Sequence, residues 1–115
     1  MQIQKDFELA QVLWFRIGGK AKYFLTCESR EDIFKALDFV EEHTPKRLFI
    51  CGLGSNLIFT DEYFDGVVIQ IGTPARSQIT IDGTKVTAFA GEALDTLIQV
   101  SFNKKLTGME WAGGL

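Results

Sequence analysis

Two apolar runs with a capped helical segment between them constrain the fold of this chain most strongly. The run AKYFLTC (21–27) is aliphatic and aromatic and has the composition of a β-strand. Ser29-Arg30-Glu31-Asp32 then matches a capping box. Apolar residues continue at helical spacing, namely Ile33, Phe34, Ala36, Leu37 and Val40. Pro45 ends that helix, and RLFIC (47–51) is typical of a buried parallel strand. The sequence therefore predicts a β-α-β unit.

The residues that follow predict more strands and a second helix. LIF (57–59) and GVVIQI (66–71) are both apolar enough for strands. Apolar and polar residues alternate on both sides of Asp82-Gly83, a dipeptide typical of hairpin turns. Gly91 then opens a helix whose apolar stripe consists of Leu94, Leu97, Ile98 and Phe102.

The order of these elements indicates the α+β fold class, built from two small α/β lobes. We expect lobe one over about 8–72 and lobe two over about 77–115. The chain closes on LTGMEWAGGL (106–115), which is apolar and glycine-rich and has no polar tail. We therefore expect the domain to continue beyond Leu115.

Composition and charge exclude several classes of function. With 46% hydrophobic residues and ten Phe, the 115 residues suffice for the core of one domain or part of one. A net charge of -3 argues against nucleic-acid binding, and no segment is long and apolar enough to cross a membrane. Cys27 and Cys51 are far apart, so we expect buried reduced thiols and no metal site. Charged residues interrupt positions 1–10 where a signal peptide is apolar, which predicts a cytoplasmic protein.

A glycine-rich loop follows the RLFIC run, within CGLGSNLIF (51–59). A P-loop would need a Lys and a different glycine spacing, and a Rossmann loop would need a third Gly where Leu57 stands. Gly52 and Gly54 allow a close approach of a ligand, and successive amides can form an anion-binding nest. Ser55 and Asn56 add side-chain donors. These residues alone fit either an anion-binding loop or a tight turn without a ligand.

Four blocks of sequence carry a family resemblance. They are WFRIGGKAKYF (14–24), CGLGSNLIFTDEYFDGVVIQI (51–71), AFAGEALDTLI (88–98) and LTGMEWAGGL (106–115). In this order they resemble the UDP-N-acetylenolpyruvoylglucosamine reductase family over nearly the whole chain after residue 7. The resemblance implies a PCMH-type FAD-binding domain, as in vanillyl-alcohol oxidase, incomplete at its C-terminus and without a substrate domain. It also implies FAD as cofactor, NADPH as reductant and a UDP-sugar as substrate, in peptidoglycan synthesis.

The resemblance also assigns cofactor-binding residues. They are Gly52, Leu53, Gly54, Ser55, Asn56, Leu57, Ala90, Gly91, Ala112, Gly113 and Gly114. The loop at 52–56 would hold the FAD pyrophosphate, and the segment 110–115 would lie beside the flavin. The catalytic Ser, Arg and Glu of the family lie beyond position 115, so no catalytic residue is assigned.

Three residues depart from the pattern of that family. Trp14 stands where Thr is usual, Leu94 where Trp is usual, and Leu53 where Gly is frequent. We expect Trp14 to be a core aromatic residue, with altered flavin packing as the alternative. Two other functions stay open: another oxidase or dehydrogenase of the same flavin fold, and a non-catalytic flavin-like or interaction module. The block Arg16-Ile17-Gly18-Gly19 argues against the first, whereas Trp14 and Leu94 would favour the second.

Overall fold

The structure is a computed structural model and describes residues 1–113. The chain divides into two compact units, Met1–Gly72 and Thr73–Leu115. A four-stranded sheet and an α-helix build the first unit, and a β-hairpin and an α-helix build the second. This confirms a mixed α+β composition. Among the described residues, no helix is long and apolar enough to cross a membrane.

The first unit is a mixed sheet with one helix in its connections. Its elements are β1 (Gln2–Glu8), a 3-10 turn (Leu9–Val12), β2 (Lys20–Cys27), α1 (Arg30–His43), β3 (Leu48–Cys51) and β4 (Phe64–Ile71). The strand order is β1-β2-β4-β3, in which β1 is antiparallel to β2 and the other two pairings are parallel. The predicted β-α-β unit is confirmed, with the last strand inserted between its two strands.

Helix α1 begins at the predicted capping box. The Ser29 hydroxyl accepts a hydrogen bond from the Asp32 amide at 3.1 Å, and the Asp32 carboxylate accepts one from the Glu28 amide, also at 3.1 Å. The helix ends at His43, and Thr44 follows in the left-handed conformation with its amide donating to the Val40 carbonyl. Both ends of the helix are therefore capped by residues close to them in the sequence.

Hydrophobic side chains lie on both faces of this sheet. The cluster between the sheet and α1 consists of Leu25, Cys27, Ala36, Val67 and Ile69. The cluster on the opposite face consists of Leu9, Leu13, Ala21, Phe24, Cys51 and Val68. Strands β2 and β4 supply residues to both clusters, as the pleat requires, whereas β3 supplies Cys51 to the second cluster only. Cys27 and Cys51 are buried and form no disulfide, which confirms the predicted buried thiols.

One strand prediction in the first unit is wrong, and a second is right about the strand but wrong about its burial. LIF (57–59) is an extended loop and not a strand, since it lies against the irregular segment before β2 and bonds there through Phe59 N to Ile17 O at 3.2 Å. The RLFIC run does form a parallel strand, but β3 is an edge strand, so Leu48 and Ile50 are about half exposed.

Helix α1 buries a narrower stripe than its apolar residues predict. Ile33, Ala36, Phe39 and Val40 contact the sheet. Phe34, by contrast, is 54% exposed, and Leu37 is exposed as well. The sequence also did not indicate β1, whose residues are almost all exposed and form no apolar run.

The second unit consists of a hairpin followed by a helix. Its elements are β5 (Ile79–Asp82), β6 (Lys85–Ala88), α2 (Leu94–Asn103) and a 3-10 turn (Glu110–Ala112). Gly83 occupies the first central position of the two-residue hairpin loop with φ of 59°, which confirms the predicted turn. The second helix is also confirmed, but it begins at Leu94, after a turn that contains Gly91. Phe102 is 67% exposed and does not belong to its buried stripe.

Candidate functional site

The glycine-rich loop Gly52–Asn56 follows the carboxyl end of β3 directly. In open sheets with parallel strands, ligands bind outside the carboxyl ends of the strands. An extended segment and not a helix follows the loop, which confirms that no helix N-terminus is available here. A helix dipole therefore contributes nothing to anion binding here, and the loop offers its own amides and side chains as donors.

Gly54 is required by the packing of its own unit. Its φ is 75°, and an added Cβ would lie 2.5 Å from the Val12 carbonyl oxygen and 3.2 Å from Leu13 Cδ2. The Gly54 carbonyl also accepts a hydrogen bond from the Trp14 amide at 3.0 Å. The loop is thus locked against the segment 12–14, and the glycine at position 54 is explained without a ligand.

Gly52 has no such explanation. Its φ is outside the left-handed region, and no heavy atom lies within 4 Å of an added Cβ. The loop is open on this side, so a ligand can approach the backbone at Gly52 closely. The packing of the described residues therefore does not require a glycine at position 52.

The exposed residues of this loop offer unpaired donors. Leu53, Ser55 and Asn56 are exposed, and within residues 1–113 their amides donate to no backbone carbonyl. The side chains of Ser55 and Asn56 also have no hydrogen-bond partner in that range. Backbone and side-chain donors that remain unpaired at an open loop suit a bound anion. Leu57, by contrast, is partly buried and packs against the core cluster that contains Leu13.

A groove of about 490 Å³ adjoins the loop within the first unit. Its lining includes Gln11, Trp14, Arg16, Leu53 and Ser55. The groove therefore combines an aromatic side chain, a permanent positive charge and loop residues that carry hydrogen-bond donors. The sequence alone did not single out Gln11 or Arg16 as site residues.

Trp14 is not a core residue, so that prediction is wrong. Its indole is 78% exposed, whereas the preceding residue, Leu13, is 3% exposed and belongs to the core cluster. The reason is a tight turn from Leu13 to Arg16, closed by the Arg16 amide donating to the Leu13 carbonyl at 3.1 Å. Trp14 occupies a central position of that turn and its side chain points outward.

The remaining predicted cofactor-binding residues lie in the second unit. Ala90 and Gly91 form the turn between β6 and α2, where the Glu92 amide donates to the Phe89 carbonyl at 3.0 Å. Ala112 is buried in the C-terminal 3-10 turn, and Gly113 follows it exposed. Gly114 lies outside the described residues. The assignment of these positions to a cofactor stays a prediction.

The turn before Ala112 is held by its own polar side chains. The Glu110 carboxylate accepts a hydrogen bond from the Gly108 amide at 2.7 Å, and the Trp111 indole donates to the Gly108 carbonyl at 3.0 Å. The amides of Glu110 and Gly108 lower the pKa of the Glu110 carboxyl. Glu110 therefore serves as an ionised acceptor that shapes this turn.

Other charged groups of the first unit form ion pairs. Asp65 lies 3.3 Å from the Lys22 ammonium and 3.2 Å from that of Lys46, and hydrogen bonds from these lysines lower its pKa. In the described part of the chain, no three His, Cys, Asp or Glu side chains come together as a metal site.

Comparison with known proteins gives relatives that cover most or all of the chain. The chain is 37% identical over 101 residues to the UDP-N-acetylenolpyruvoylglucosamine reductase of Desulforamulus reducens. The matched region is 88% of this chain and 33% of the relative. The reductase of the same name from Moorella thermoacetica is 35% identical over 115 residues, 100% of this chain and 37% of the relative. That from Mycolicibacterium smegmatis is 32% identical over 115 residues, 100% of this chain and 31% of the relative. The chain thus spans about one third of the length of these relatives. No protein-family model matches it.

Proposed function

Because the chain belongs to the UDP-N-acetylenolpyruvoylglucosamine reductase family, we propose that it is the FAD-binding portion of a flavin-dependent oxidoreductase. The reaction is the NADPH-dependent reduction of UDP-N-acetylenolpyruvoylglucosamine to UDP-N-acetylmuramate. That reaction is a step of peptidoglycan synthesis, and we propose that the protein acts in the cytoplasm. In this proposal the two units belong to a PCMH-type FAD-binding domain.

The open side of the loop at Gly52 carries the proposal. A pyrophosphate is a compact anion with several acceptor oxygens, and it needs donors that approach closely. The unpaired amides of Leu53, Ser55 and Asn56 supply such donors, and the absence of side-chain atoms at Gly52 leaves room for the phosphates. A loop that served only as a turn would need the glycine at position 54 but not the one at position 52.

Arg16 supports the same assignment through its charge. Its side chain lines the groove that Ser55 also lines, within the first unit. A guanidinium keeps its charge at all physiological pH values and forms bidentate hydrogen bonds with phosphate oxygens. We therefore assign Arg16 as a counter-charge for the pyrophosphate.

When bound, FAD supplies the hydride-transfer chemistry of the reaction. The share of this chain is to bind and orient the cofactor. Gly52, Ser55 and Asn56 would hold the pyrophosphate at the edge of the sheet, and Arg16 would balance its charge. No residue of the chain is assigned to proton transfer or to the substrate.

The test is the cofactor content of the intact purified protein. We expect a yellow protein with flavin absorbance, and we expect the flavin released by heat to be FAD and not FMN. A colourless protein that also binds no added FAD would refute the proposal. A second assay, oxidation of NADPH that depends on UDP-N-acetylenolpyruvoylglucosamine, distinguishes the reductase from another flavin enzyme and from a non-catalytic flavin module.

A further inference from the structure

The exposed side chain of Trp14 belongs to neither core cluster of the first unit. Tryptophan is on average one of the most buried residues in folded proteins, yet this side chain is 78% exposed. It lines the groove beside the glycine-rich loop, together with Leu53 and Arg16. We propose that Trp14 stacks on one of the two planar ring systems of bound FAD, an inference that rests on the proposed function.

The backbone holds Trp14 at the loop. Its amide donates to the Gly54 carbonyl at 3.0 Å, and the turn from Leu13 to Arg16 directs its side chain away from the core. Both hydrogen bonds of this arrangement are made by main-chain atoms. The position of residue 14 beside the loop is therefore independent of the side chain it carries, and the indole is free to serve a ligand.

The composition of the groove matches a dinucleotide. Arg16 and Ser55 suit the charged phosphates, whereas Trp14 and the half-exposed Leu53 offer apolar surface. FAD has an adenine ring on one side of its pyrophosphate and an isoalloxazine ring on the other. With the pyrophosphate at the loop, one of these rings would lie in the groove that Trp14 lines. Aromatic stacking of this kind stabilises bound bases.

Two smaller ligands distinguish the rings. ADP carries the adenine ring and a pyrophosphate, and FMN carries the isoalloxazine ring and one phosphate. Replacement of Trp14 by Ala weakens the binding of ADP if adenine stacks there, and that of FMN if isoalloxazine does. Either result supports the stacking role.

The experiment measures the dissociation constant of FAD for four forms of the intact protein: the parent and its W14A, W14F and F34A variants. We expect W14A to bind roughly 5-fold more weakly, which is the size of one aromatic contact, and W14F to stay within about 2-fold of the parent. Phe34 is a matched control, because it is also an exposed aromatic residue of the first unit but lies on α1 and outside the groove. F34A should bind FAD as the parent does.

Unfolding of the FAD-free protein separates stacking from a structural role. The unfolding midpoint of W14A should stay within ~2 °C of the parent, as for other surface substitutions. If the parent binds FAD and W14A binds it equally well, stacking is refuted while the proposed function stands. A lower FAD-free midpoint that accounts for the weaker binding, or a W14F variant as weak as W14A, also refutes stacking. If the parent itself binds no FAD, both inferences fail.

Discussion

Alanine substitutions at Gly52 and Gly54 have different expected effects on the free energy of unfolding, although only Leu53 separates the two glycines. Gly54 has φ of 75°, and an added methyl group would lie 2.5 Å from the Val12 carbonyl oxygen. Backbone atoms cannot move aside as a flexible side chain does. Gly54→Ala therefore forces the loop away from the segment that contains Val12 and Trp14.

Three contributions set the size of the expected loss in the free energy of unfolding. An L-residue in the left-handed conformation costs about 1–2 kcal/mol, and loss of the 3.0 Å hydrogen bond from the Trp14 amide to the Gly54 carbonyl costs about 1 kcal/mol. The lower entropy of the unfolded alanine chain returns about 0.4–1 kcal/mol. We expect Gly54→Ala to lower the free energy of unfolding by about 2 kcal/mol in total.

Gly52→Ala is the matched control within the same loop. Its φ is not left-handed and no atom lies within 4 Å of the added methyl group, so the free energy of unfolding should be unchanged or up to about 1 kcal/mol higher. The methyl group would, however, occupy the side from which a pyrophosphate approaches. We expect FAD binding to weaken roughly 10-fold, as for an overpacked site.

Urea unfolding of the FAD-free protein, followed by far-UV circular dichroism, measures both stability effects, and an FAD titration measures the binding effect. Stability equal to the parent in Gly54→Ala would refute the packing argument for that glycine. A Gly52→Ala variant that is as unstable as Gly54→Ala would refute the distinction between the two positions.

Three further predictions, made with four substitutions, test the fold of the first unit. Ser29→Ala should lower the free energy of unfolding by about 1 kcal/mol because it removes the N-cap of α1, and urea unfolding that shows no loss would contradict the cap. In the same assay Leu25→Ala should lower the free energy of unfolding by about 2–5 kcal/mol, because Leu25 is buried between the sheet and the helix. Ile50→Ala should lower it by no more than about 1 kcal/mol, because Ile50 lies on the edge strand. Equal losses would contradict the strand order. Burial raises the pKa of the Cys51 thiol to about 11, so the folded state keeps a proton that the unfolded state loses from its ordinary pKa upward. The free energy of unfolding of the parent, relative to that of Cys51→Ala, should therefore fall as the pH rises from about 8.5 toward 11. If the urea midpoint of the parent instead rises relative to that of Cys51→Ala over this range, the burial of the thiol is contradicted.

Elements with a local signal could be predicted from the sequence. Ser29 and Asp32 mark the start of α1 because their side chains bond to nearby amides, and Gly83 marks the hairpin because the turn needs a positive φ. Strand order has no such local signal. The insertion of β4 between β2 and β3 depends on pairing between distant segments, so RLFIC was expected to be buried and is instead an edge strand.

The candidate site was predictable in its position but not in its details. The glycine-rich loop could be recognised, since glycine spacing and small polar residues are local features. Leu13 and Trp14 are adjacent apolar residues, but only Leu13 is buried. The turn from Leu13 to Arg16 decides this, and the sequence pattern does not specify that turn. Likewise, the sequence does not distinguish the two glycines of the loop. Only the structure shows that a side chain at position 54 would clash with backbone atoms, whereas one at position 52 would meet no atom within 4 Å.

The most direct test of the proposed site is the response of the loop amides to the cofactor. In ¹H–¹⁵N correlation spectra of the intact, ¹⁵N-labelled, FAD-free protein, stepwise addition of FAD should shift the amide signals of Leu53, Ser55 and Asn56 most strongly among residues of the first unit. The amide of Phe34, on α1 and outside the groove, serves as the internal reference. If FAD binds while the loop amides keep their positions, the pyrophosphate is held elsewhere and the assignment of this loop is wrong.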